Sequence, residues 1–101
     1  IVRIAVVGGG TAGHMAASHF STHLPSHDLF HIHDSRTPAI GVGEGTFPTF
    51  PKWIKTITGL GFSELKKQCD VTKKGGIQFE GWGKKHELFR HDFKGEYAYH
   101  I

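Results

Sequence analysis

Residues Val2 to Val7 form an apolar run rich in β-branched side chains, and Gly8-Gly9-Gly10 closes it. Such a run predicts a buried parallel strand. From Thr11 to about His23 the pattern turns helical, with Met15, Ala16, His19, Phe20 and His23 near one stripe. Pro25 ends that element, because it lacks an N–H and restricts the residue before it. Leu29 to His33 alternates apolar residues with histidine, which predicts a second strand ending at Asp34. Ser35 to Thr49 is a loop punctuated by glycine and proline. Phe50 to Thr58 reads as a short helix stopped by Gly59 and Gly61, and Ser63 is placed to N-cap another that runs to about Cys69. Gly76 to Trp82 alternates again and predicts a strand, whereas residues 83–101 read as loop. There is no internal repeat and no low-complexity tract. The strand–helix–strand opening sets the class as α/β.

Length and composition narrow the functional classes. The 101 residues suffice for one small domain, not for a typical multi-substrate enzyme. No apolar run is long enough to span a membrane. Ile1–Val7 is too short for the apolar region of a signal peptide and runs straight into glycines. The single cysteine, Cys69, precludes an internal disulfide framework and fits a reducing, cytoplasmic setting. The net charge of +3 is scattered, with no basic stripe interleaved with aromatics, so nucleic acid is not an expected partner. The chain opens on Ile1 and closes on Tyr99-His100-Ile101, and the expectation is a portion of a longer protein.

Gly8-x-Gly10-x-x-Gly13 carries the first chemical signal, and it stands between the expected strand and helix. The first glycine permits the tight turn. The second lets the backbone approach a pyrophosphate, and the third lets helix and strand pack closely. The helix start adds unpaired N–H groups and partial positive charge. Asp34 follows Gly13 by 21 residues, at a strand end where a carboxylate can accept hydrogen bonds from a ribose. A glycine-rich turn that only packs helix on strand has the same spacing, but the combined context favours a dinucleotide. An aspartate there favours a free 2′-hydroxyl, hence FAD or NAD over NADP. Gly41-Val42-Gly43-Glu44-Gly45-Thr46 then gives a second flexible backbone segment that could lie against a flavin or its diphosphate. By spacing alone, Glu44 is equally a solvated loop acid or a ligand to a hydroxyl.

GGGTAG, Asp34, GVGEGTFPTF and TKKGGIQFEGWG together resemble the flavin-dependent tryptophan halogenases, whose pattern runs GGGTAGW, GVGEATFPT and TFK-x-x-I-x-F-x-x-W. The match covers nearly the whole chain, in order. It implies that residues 1–101 are the N-terminal portion of one Rossmann-like FAD-binding domain of the aromatic-hydroxylase type, incomplete as it stands. The implied cofactor is FAD, used as FADH2 delivered by a separate flavin reductase, with halide and O2 as co-substrates. The implied cofactor contacts are Gly8, Gly10, Thr11, Ala12, Gly13, Asp34, Ile40, Glu44, Gly45 and Thr46. The segment Gly41–Phe50 would act as a strap over the flavin. The implied catalytic residue is Lys74, with Lys73 in place of an aromatic. An amine there can hydrogen-bond hypohalous acid or form an N-haloamine, and so aim an electrophilic halogen at one carbon of an electron-rich aromatic such as tryptophan or another indole. The haloamine route needs a neutral amine, which burial favours. Neighbours in extended backbone face opposite ways, so Lys73 is expected to be solvated.

Phe89-Arg90-His91-Asp92-Phe93 resembles F-Y-H-P-F, which implies His91 and Phe93 as substrate contacts. Arg90 and Asp92 depart from that pattern. His14 stands where the family has tryptophan. Gly45 stands where it has alanine, which should loosen the strap. W-x-W-x-I-P and the second catalytic carboxylate lie outside these residues, so this stretch alone is expected to be inactive. A related FAD-dependent monooxygenase or oxidoreductase, or an inactive nucleotide-binding remnant, would share the glycine motif.

Nine histidines stand apart from this pattern. His19 and His23 fall at i, i+4 and His31 and His33 at i, i+2, spacings that place two imidazoles on one face. A metal site needs a third converging ligand, which the spacing does not show, so no metal is expected. In a buried strand, at least one of His31 and His33 should hydrogen-bond or face outward. Trp53 and Trp82 read as packing residues, and Cys69 as structural.

Overall fold

A computed structural model describes residues 1–101. The chain divides into two compact units, Ile1–Val42 and Gly43–Ile101. No helix is long and apolar enough to cross a membrane.

The first unit is a β-α-β arrangement: β1 (Arg3–Val7), α1 (Thr11–His23) and β2 (Asp28–Ile32). β1 and β2 pair in parallel, from Arg3 opposite Asp28 to Val7 opposite Ile32. Helix α1 packs on both strands. It ends at Leu24, whose N–H donates to the Phe20 carbonyl at 2.8 Å, just before Pro25. The face of α1 that leaves solvent comprises Gly13, Met15, Ala16, Ala17 and Phe20. His19 and His23 lie outside it and are exposed, which corrects the expected stripe. Gly13, Ala16 and Ala17 on this face are small, which lets the helix come close to the strands. β1 is not the fully buried strand expected: Ile4 and Val6 are half-buried, while Val7 is 78% exposed. One helix covers one face of a two-stranded sheet, so alternate residues remain open.

The second unit begins with α2 (Thr49–Thr58) and α3 (Phe62–Cys69). α2 closes at Gly59, which takes the left-handed conformation (φ 76°) that glycine adopts without penalty. The cap of α3 is Gly61, not Ser63. Glu64 reaches back to accept the Gly61 N–H at 3.1 Å, a task the serine one residue inside the helix does not perform. Lys66 holds Asp70 at 2.9 Å near the helix end, and this bond lowers the Asp70 carboxyl below its usual range. Cys69 is exposed rather than structural.

Two antiparallel ribbons complete this unit. β3 (Thr72–Lys74) pairs with β6 (Ala98–His100), and β4 (Gly76–Trp82) pairs with β5 (Glu87–Asp92). β5 and β6 replace much of the expected loop over residues 83–101. All of β5 is exposed, so its sequence carries no buried alternation, and β6 spans only three residues. Phe79 and Phe89 stack across the β4–β5 ribbon at 4.8 Å. Trp82 meets the Phe79 ring edge to face at 6.0 Å but stays 65% exposed, whereas Trp53 is half-buried against Phe50. The core gathers Leu65, Val71 and Tyr99, with Phe50, Ile54, Leu60 and Phe62 packed around them.

Candidate active site

In the first unit the glycine turn opens onto a groove of about 490 Å³ lined by Val7, Gly8, Gly9, Gly10, Ile32, His33, Asp34 and Thr37 to Ile40. Each motif glycine meets a different constraint. Gly8 has φ 126°, a value side-chain-bearing residues rarely adopt. A Cβ on Gly13 would fall on the Gly8 carbonyl oxygen, so helix and turn are as close as the motif demands. A Cβ on Gly10 would enter open space, the side from which a ligand can approach the backbone. Gly10 caps α1 with no side-chain hydrogen bond, and the first turn has no acidic residue. Its orphan N–H groups, those of Thr11, Ala12 and Gly13 among them, remain available to an anion.

Asp34 lines this groove two residues beyond the end of β2, which closes at Ile32 rather than at the expected Asp34. Its carboxylate accepts from the Arg36 backbone N–H at 2.9 Å, the Arg36 Nε at 3.0 Å and the Thr37 hydroxyl at 3.3 Å. The Arg36 side chain is the main reason its carboxyl is held below the usual carboxylate range. The pair is solvent-exposed and weak. Ile40 lines the same groove.

In the second unit the strap is irregular in backbone but pinned by hydrogen bonds rather than loose. Glu44 and Ile101 exchange two backbone hydrogen bonds, each 2.8 Å long, and Gly45 bridges His100. The Thr46 N–H donates to the Tyr99 carbonyl at 2.9 Å. The Thr46 hydroxyl accepts the Tyr99 N–H at 2.8 Å and donates back to the Tyr99 carbonyl at 3.0 Å. Substitution of glycine for the family's alanine therefore leaves residue 45 held on both sides. The Glu44 side chain is exposed.

Lys74 is the residue that reaches this strap. It sits opposite Ala98 in the β3–β6 ribbon, half-buried, and its Nζ donates to the Thr46 carbonyl at 3.1 Å. The amine lies 5.3 Å from the centre of the Phe47 ring and 5.8 Å from that of Phe93, so two aromatic faces and one carbonyl surround it. A Cβ at Gly45 would stand 3.1 Å from Nζ, so this glycine leaves space beside the amine. Lys73 is exposed as expected, with its amine 4.8 Å from the Phe62 ring centre and 4.6 Å from that of Tyr97.

Phe93 is buried, and its N–H donates to the Gly75 carbonyl at 3.0 Å. His91 meets it edge to face at 5.8 Å. His91 also lines a cleft of about 290 Å³ with Gly75, Gly76, Ile77, Gln78, Arg90 and Asp92. Lys74, Phe93 and His91 are thus contiguous. The two residues that break the family pattern have other tasks: Arg90 donates to Gln78 at 2.8 Å, and Asp92 accepts the Lys94 N–H at 2.9 Å. Phe47 is the site residue that spacing alone misses. Its signal was its place one residue after Thr46 in the strap.

These features define an α/β chain that opens with a Rossmann-like unit and carries a half-buried amine on a glycine-rich strap. The profile of the tryptophan halogenase family matches residues 3–101, and the chain belongs to that family. Tryptophan 7-halogenase RebH of Lentzea aerocolonigenes is 35% identical over 83 residues, which cover 81% of this chain and 16% of that protein. 7-chloro-L-tryptophan 6-halogenase KtzR of Kutzneria sp. (strain 744) is 36% identical over 78 residues, or 76% of this chain and 15% of its own. Among solved structures, the tryptophan halogenase of Shewanella frigidimarina superposes with a TM-score of 0.70 at 29% identity, covering 92% of this chain and 20% of that one. The tryptophan 6-halogenase SttH of Streptomyces toxytricini superposes with a TM-score of 0.66 at 28% identity, covering 90% and 19%. The chain therefore spans about 16% of the length of RebH.

Proposed function

We propose that this chain supplies the nucleotide-binding turn and the halogen-delivering lysine of an FADH2-dependent halogenase acting on tryptophan or another electron-rich indole. The observation that carries this reading is the Lys74 amine, held on the Thr46 carbonyl between Phe47 and Phe93. The groove residues fit FAD: Gly10 leaves room for a pyrophosphate, the start of α1 favours its charge, and Asp34 suits a ribose. When bound and reduced, FAD supplies the electrons that activate O2 for halide oxidation, and a separate flavin reductase would renew it.

Lys74 then holds hypohalous acid by a hydrogen bond and presents its halogen to the substrate ring. Its bond to Thr46 is the one to be exchanged, and the two aromatic faces keep water from crowding the amine. Phe93 and His91 offer the substrate an aromatic wall and an edge. Through the Thr46 carbonyl, the strap fixes the position of the amine.

The test is Lys74→Ala in the intact protein, assayed with reduced FAD and chloride or bromide. Halogenated product should vanish while flavin oxidation and peroxide release continue. Product that survives would sink the assignment. Hydroxylated product without a halide requirement would make the protein a flavin monooxygenase in which Lys74 is incidental.

A further inference from the structure

We infer that His14, His31 and His33 form a binding site for a divalent transition-metal ion of the zinc type, built on the glycine turn of the first unit. One ring nitrogen from each lies within 4.8 Å of the other two. The rings pack together, with centroids 4.9 Å apart for His14 and His31, 4.7 Å for His31 and His33, and 5.6 Å for His14 and His33. The start of α1 and the end of β2 converge to make this cluster. His14 is in the first turn of α1, His31 is in β2, and His33 follows β2 on the same side as His31. The parallel pairing places the helix start beside the strand end, so the third imidazole comes from a distant part of the sequence.

Hydrogen bonding supplies a second, independent observation. His31 Nε2 donates to the Gly8 carbonyl at 2.7 Å, and His14 Nδ1 donates to the Gly10 carbonyl at 3.0 Å. A carbonyl only accepts, so in the neutral ring each bond fixes the tautomer and leaves the other nitrogen with its lone pair. Metal-binding histidines are usually oriented this way, by a carbonyl on the nitrogen that does not ligate. Imidazole suits zinc, copper and nickel, and three imidazoles with water in the fourth position form a common open zinc site. A tetrahedral ion about 2.1 Å from each nitrogen draws them to roughly 3.4 Å from one another. The nitrogens must therefore close by up to about 1.4 Å, a movement open to short side chains of which two are exposed.

His33 also lines the groove beside Asp34, but zinc binding rests on the imidazoles alone and is measured without nucleotide. Tag-free protein is titrated with Zn²⁺ against a chromogenic chelator, and bound metal is counted by atomic emission. The expected result is one zinc per chain, weakened at least about tenfold in H14W and H33A and unchanged in the H19A/H23A double variant. H14W installs the residue of the family pattern and so should keep the fold, which circular dichroism checks. In the unmodified protein, the imidazole resonances of His14, His31 and His33 should shift on zinc addition while those of the other histidines stay. Absence of stoichiometric zinc, unchanged binding in H14W and H33A, or loss only in H19A/H23A would overturn the site. A variant that unfolds leaves the resonance experiment to decide.

Discussion

Single residues in the glycine turn separate two roles that one motif combines. Gly13 is required by packing, because a methyl there meets the Gly8 carbonyl, whereas Gly10 faces open space. Gly13→Ala should cost about 1–3 kcal/mol in denaturant unfolding, the usual range for overpacking against backbone. Gly10→Ala should leave stability within about 1 kcal/mol and yet weaken FAD binding, followed by flavin fluorescence. Unchanged FAD affinity in Gly10→Ala would mean that the turn serves packing alone. These positions were legible in the sequence because glycine spacing encodes backbone geometry directly. The folding of Asp34 back onto Arg36 was not, because an exposed pair two residues apart leaves no periodic trace.

At the scale of elements, the strap is held mainly through Thr46, whose hydroxyl both accepts from and donates to the backbone of Tyr99. Thr46→Val preserves shape but orphans the Tyr99 N–H, and should destabilise by about 1–3 kcal/mol. Thr46→Ser should recover most of this. Thermal melts of the two variants decide it: equal melting temperatures would show that the hydroxyl contributes nothing. Elements with strong punctuation were readable beforehand. α1 has glycine before it and proline after it, and β4 alternates cleanly. β5 and β6 escaped notice because one is exposed along its length and the other is short, so pairing with a partner, not local pattern, creates them.

For the whole molecule, the small core places one ionisable ring, that of Tyr99, out of water. Its ring is 2% exposed, and burial, reinforced by Tyr97, raises its phenol above the usual value. The native state then keeps a proton that the unfolded chain sheds above about pH 10, so stability holds below that pH and falls as pH rises through the raised native value. Tyr99→Phe should flatten this alkaline decline relative to the unmodified protein in denaturant titrations from neutral pH upward. Parallel declines would place the sensitive group elsewhere. The sequence marked neither Tyr99 nor Val71 as central, since residues 83–101 read as loop and Val71 stands alone between α3 and β3. The consecutive lysines of β3 carry an evolutionary consequence. If β3 slid by one residue along β6, Lys73 would come opposite Ala98, where Lys74 now stands. An amine would still occupy the site, and the main obstacle to the slip is the buried Val71. A short insertion or deletion near Gly75 would then hand the role proposed for Lys74 to its neighbour, so consecutive lysines make that proposed role tolerant of a one-residue shift.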